Sequence, residues 1–110
     1  MDEITGYHLC SPDHRDEVRR RGLVPTEPGG GAPPGVYLWL RADLIPRELE
    51  KARRAGEPRD VWEARVARAD LVPDPELPPG HAARLPYAVP AGRVRLARAH
   101  GGRGVAPAAT

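Results

Sequence analysis

His8 and Cys10 stand two residues apart, just ahead of Ser11-Pro12-Asp13. In a strand, residues i and i+2 share a face, so imidazole and thiol would point the same way. A thiol placed before a helix N-terminus has its pKa lowered by the helix dipole, which makes a Cys/His nucleophilic pair one chemistry to weigh. Side chains so spaced align poorly for direct proton transfer, and a buried inert cysteine is the commoner arrangement. The four histidines, at 8, 14, 81 and 100, include no i, i+4 pair of the kind that sets two metal ligands on one helix face. No metal site is expected. There is no nucleophile-elbow motif, and Gly29-Gly30-Gly31 lacks the Lys-Ser/Thr and helix that follow a phosphate-cradling loop.

These residues need elements to hold them. Ile4–Cys10 reads as a strand with Tyr7 and Leu9 on one face and Ile4, Gly6, His8 and Cys10 on the other. Ser11 as N-cap, Pro12 at the first helical position and acids in the first turn start a helix over 12–21. Gly22 can take the left-handed conformation that ends it, with Leu23 as the apolar contact. Val18 is its one large apolar residue, so this helix must lie on the surface. Residues 25–35 read as a Gly/Pro-rich loop that is expected to be mobile. Val36–Arg41 reads as a strand with Val36, Leu38 and Leu40 on one face and Tyr37, Trp39 and Arg41 on the other. Asp43 is the expected N-cap of a helix over 44–55. Val61–Arg68 follows as a strand facing Trp62, Ala64 and Val66 one way.

Residues 70–80 carry Pro73, Pro75, Pro78 and Pro79. Their missing backbone donors are expected to exclude any regular element there, with Leu71 and Leu77 pinning the segment. A short strand at Tyr87–Val89 and a longer one over Arg93–Arg98 complete the order. The expected fold class is α+β, a small mixed or antiparallel sheet with two flanking helices. One domain over 1–98 and a flexible tail over 99–110 are expected.

The chain has 110 residues, enough for a single core. A formal net charge of +2 is too balanced for a nucleic-acid tail. All basic residues but Lys51 are arginine, a skew that a GC-rich genome explains, so arginine count is no sign of phosphate binding. Charge is uneven along the chain: residues 77–110 carry five Arg and no acid, while residues 1–76 are net acidic. No run approaches the ~18 apolar residues of a membrane span, and Met1-Asp2-Glu3-Ile4 does not read as a secretory signal. With a single cysteine there is no internal disulfide framework. A cytoplasmic protein without membrane contact is expected.

Taken in order, Tyr7-His8-Leu9-Cys10-Ser11-Pro12, the helix closing on Arg21-Gly22-Leu23, and Gly35-Val36-Tyr37-Leu38 resemble the opening of the ADP-ribosyltransferase-like fold. Val61-Trp62-Glu63-Ala64-Arg65-Val66 with Asp70-Leu71-Val72-Pro73-Asp74 resembles its middle strand and following loop, and Val89-Pro90-Ala91-Gly92-Arg93-Val94 its closing strand. The resemblance covers roughly residues 4–98 and rests on order and spacing. It implies NAD as co-substrate and transfer of ADP-ribose to an acceptor, whether protein, nucleic acid or small molecule, with a protein partner admissible. It implies that His8 bonds the ribose and Tyr37 stacks on the nicotinamide, as the catalytic pair. Leu9 would meet the amide through its backbone, Cys10 stands where the family has Thr or Ser, and Arg41 would complete the cofactor-binding set. The loop 25–35 would close over NAD.

Cleavage of the nicotinamide–ribose bond builds oxocarbenium character, so an aromatic plane, a neutral His donor and a carboxylate suit it. The family's Glu near the final strands has no counterpart, since no acid follows Glu76. Asp74 and Glu76 lie in the proline-rich segment, from which they reach the cleft only by an unusual path. Two alternatives follow from that departure: a non-catalytic binding or regulatory module on the same fold, and an RNA 2′-phosphotransferase-like enzyme using His with Arg41, Arg84 or Arg93.

Overall fold

The computed structural model describes residues 2–27 and 31–101. The class is α+β: one six-stranded antiparallel sheet with two helices. In chain order the elements are β1 (Glu3–Cys10), α1 (Arg15–Arg21), β2 (Val36–Trp39), α2 (Ile45–Arg54), β3 (Asp60–Ala67), β4 (Val72–Pro73), β5 (Ala82–Leu85) and β6 (Val94–Arg98). The strands lie in the order β4-β5-β2-β1-β3-β6.

The period-two patterns decide the two faces. His8 pairs across with Trp62, Gly6 with Ala64 and Ile4 with Val66, so these side chains share one face. Trp62, Ala64 and Val66 are buried there beside Val36, Leu38, Leu85 and Leu96, and Val18 of α1 with Leu23 just beyond it closes the layer. Gly6 is required by this packing, because a Cβ would fall 2.9 Å from a Leu38 methyl. Tyr7 pairs with Trp39 on the opposite face. Leu9 and Trp39 line a shallow hollow there with Glu48, Lys51, Ala52 and Ala55, which sets α2 against that side.

The first helix begins with a 3-10 turn at Pro12–His14, capped by the Ser11 hydroxyl accepting from the Asp13 N–H, and turns α-helical at Arg15. Asp43 does not cap α2. It lies inside a preceding 3-10 turn and chelates the Arg41 guanidinium instead, at 2.6 and 3.0 Å.

Two expectations fail between residues 70 and 90. The proline-rich segment does hold a strand, the two-residue β4, which pairs with β5 at Val72↔Arg84 and Pro73↔Ala83. It lies at the sheet edge, where a missing donor is tolerated. The strand expected at Tyr87–Val89 forms earlier, as β5 over Ala82–Leu85, and Val89 makes only an isolated bridge to Leu23. In the expected loop 25–35, Thr26 and Gly35 exchange backbone hydrogen bonds of 3.0 and 3.1 Å, and residues 28–30 lie outside the described residues. Of the expected tail, residues 102–110 also lie outside them. Ala99 packs on the core, and the His100 N–H donates to Asp60 at 2.8 Å, so the fold holds the chain beyond residue 98. No helix among the described residues is long and apolar enough to cross a membrane.

Candidate functional site

The sheet is unevenly sewn. β1 pairs with β3 at every residue from Glu3 to Cys10, but with β2 at the single register pair Tyr7↔Trp39. Beyond it toward Cys10, the ladder gives way to a side chain: His8 Nδ1 lies 2.9 Å from the Tyr37 carbonyl oxygen. A carbonyl can only accept, so Nδ1 carries the proton and donates. Burial pushes the His8 imidazole below the usual histidine range, the Tyr37 carbonyl pulls it back up, and the charges of Arg59 and His14 lower it further. The ring is therefore neutral near pH 7, with Nε2 left as an acceptor.

His8 and Cys10 share a hollow of about 280 Å³ with His14, Glu17, Val18, Arg21 and Thr26 among its walls. The α1 side of this hollow follows from helical spacing: positions 14, 17, 18 and 21 are i, i+3, i+4 and i+7 and form one stripe. Glu17 accepts from Arg21 at 3.2 Å in an exposed pair. Burial raises the Cys10 thiol above its ordinary pKa and the Asp60 charge adds to that, while the Trp62 indole N–H favours the thiolate. The dipole-lowered thiol that the sequence allowed is therefore not what this position gives.

Tyr37 is elsewhere. It lies on the Tyr7–Trp39 face, in a separate hollow of about 560 Å³ with Pro33, Asp74, Glu76, Leu77 and Arg84. Its hydroxyl donates to the Pro33 carbonyl. The expected convergence of the His8 and Tyr37 rings on one hollow is thus not met: the sheet stands between them. The physical reason is parity, since the β1–β2 register sets His8 beside Leu38, whose neighbour Tyr37 must point the other way. What joins the two residues is the backbone carbonyl of Tyr37. Asp74 and Glu76, expected to reach the cleft only by an unusual path, stay away from the His8 hollow and lie by Tyr37 instead. β4 pairs with β5 and β5 with β2, which brings both acids to Tyr37 but not to His8.

Leu9 turns its side chain toward α2, and Arg41 lines neither hollow. Arg41 is held by Asp43 and reaches His81 Nε2 at 3.2 Å. Among the described residues no group of three or more His, Cys, Asp or Glu could hold a metal ion. Sequence reasoning missed Glu17 and Arg21 as neighbours of His8, although the helical stripe carried that signal. Comparisons with protein-family models, with curated proteins and with solved structures gave no match.

Proposed function

We propose that the chain is an NAD-binding, ADP-ribosyltransferase-like protein that takes the nicotinamide–ribose end of NAD into the His8 hollow and passes ADP-ribose to an acceptor. The observation that carries this reading is the fixed, neutral His8. With Nδ1–H held by the Tyr37 carbonyl, Nε2 offers an acceptor lone pair to a ribose hydroxyl. That refines the role expected of His8 from donor to acceptor. About 280 Å³ is close to the lower end of the range for small-molecule sites, which suits one riboside and not a whole dinucleotide. Val18 and Leu23 supply the apolar wall, Glu17 the carboxylate that balances positive charge developing on the ribose, and Arg21 a cation for the diphosphate. The Tyr37 ring has no part in this arrangement. Its carbonyl orients His8.

Titration calorimetry with NAD tests the proposal. Saturable heat with wild-type protein, lost in His8→Ala while the fold persists by circular dichroism, is the expected outcome. Wild-type protein that takes up no NAD at millimolar concentration would refute it. Binding without nicotinamide release would leave the non-catalytic module as the better description.

A further inference from the structure

We propose that the Tyr37 hollow, on the sheet face away from His8, is a second binding site whose ligand is a free amino acid with a cationic side chain. Nothing in this depends on NAD. The sheet builds the site. Tyr37 and Arg84 are register partners of β2 and β5, so their side chains leave one face side by side. β4 pairs with β5 at Val72 and Pro73, and the Asp74 N–H continues that pairing by donating to the Ala82 carbonyl at 3.2 Å. Asp74 and Glu76 thereby come to line the hollow with Leu77 and Pro33.

Three charges stand there un-neutralised. Arg84 is half-buried, with its stem against Gly35, where a Cβ would meet Arg84 Cδ at 3.2 Å. Among the described residues its guanidinium makes no ion pair, although two carboxylates line the same hollow, and neither Asp74 nor Glu76 pairs with a cation. The Asp74 carboxylate accepts the Glu76 N–H at 2.9 Å through Oδ1, which leaves Oδ2 open. Elsewhere arginines close on nearby acids, as Arg41 does on Asp43 and Arg53 on Glu50. A hollow that keeps both signs apart is complementary to a zwitterion. Two carboxylates against one guanidinium leave it net negative, so a ligand with one carboxylate and two ammonium groups neutralises it. Arg84 takes the carboxylate as a fork, Asp74 the α-ammonium, and the side-chain ammonium lies by the Tyr37 ring and Glu76. Leu77 and Pro33 cover the methylenes. A volume of about 560 Å³ falls within the range of small-molecule clefts.

Titration calorimetry of L-lysine into the full chain at low ionic strength tests the site. Expected is saturable one-to-one binding, weakened by about tenfold or more for L-norleucine, which lacks the second ammonium, and for cadaverine, which lacks the carboxylate. Arg84→Gln and Glu76→Gln, each folded by circular dichroism, are expected to weaken L-lysine by about the same factor. Saturating NAD is expected to leave the L-lysine affinity unchanged, because the sheet separates the two hollows. No saturation by L-lysine up to about 10 mM overturns the proposal. So does L-norleucine, cadaverine or L-glutamate binding as tightly as L-lysine, or full affinity in folded Arg84→Gln. Should a variant fail to fold, the ligand analogues decide alone. Failure of NAD to bind bears on the His8 hollow and not on this one.

Discussion

Asp60 carries more structural consequence than any residue the sequence singled out. Its carboxylate is fully buried and takes two 2.8 Å hydrogen bonds from Arg15 and one from the His100 N–H. Burial alone would raise its pKa, but these donors overcome that and hold it below the usual carboxylate range. Removing one member of such a pair leaves the other charge uncompensated, so Asp60→Asn should cost about 3 kcal/mol in urea unfolding, the low end for buried pairs because Arg15 is partly exposed. With a folded pKa below the unfolded one, this contribution is complete above about pH 4 and fades as pH falls through the folded value. The variant should therefore lose part of the wild-type's acid dependence. At this scale the sequence was partly legible. The shared face of His8 and Cys10 followed from alternation alone, whereas the separation of His8 from Tyr37 depends on an interstrand register that alternation within each strand cannot supply.

Among the elements, α1 is short and is held by its exit. Gly22 leaves it with φ +79°, and the next residue bridges Val89 through hydrogen bonds of 2.9 and 2.8 Å. A Cβ on Gly22 would stand 1.9 Å from the Val89 carbonyl oxygen. Gly56 has a similar φ of +73° with nothing near its missing Cβ. Gly56→Ala should thus cost only the strain of a left-handed residue, about 1 kcal/mol, while Gly22→Ala should cost more than about 3 kcal/mol by forcing apart the α1 exit and the 89–91 segment. Thermal and urea melts of the two variants check the contrast. Caps, glycines and alternation made β1, α1, β2 and β3 readable. β5 was not, because Ala82–Leu85 is short and two of its four residues are alanine. It exists because β2 and β4 pair with it on either side.

Across the whole molecule, folding pairs part of the basic C-terminal third, Arg93 and Arg95, with acids from earlier in the chain. Arg93 pairs with Glu3, and Arg95 with Glu63 at 2.8 Å, because β6 lies beside β3 and β3 beside β1. Arg65 and Arg68 are paired in turn with Glu3 and Asp2. The RNA-directed alternative needs a concentrated cationic face, and these arginines do not form one. Fluorescence anisotropy with a single-stranded RNA should show at most weak binding at 0.15 M salt; tight binding that falls steeply as salt rises would favour that alternative. None of this was visible in the sequence, since opposite charges some sixty to ninety positions apart meet only through strand order.

That strand order also governs how the protein is made. β1 leaves the ribosome first, yet it ends between β2 and β3, and its full ladder is with β3. At ordinary elongation rates it waits several seconds for residues 60–67, and until they arrive the edge that β3 will cover is bare. The nascent chain is therefore open to strand-binding chaperones over that interval, and a stalled intermediate lacking β3 would be the species most prone to pair with its own kind.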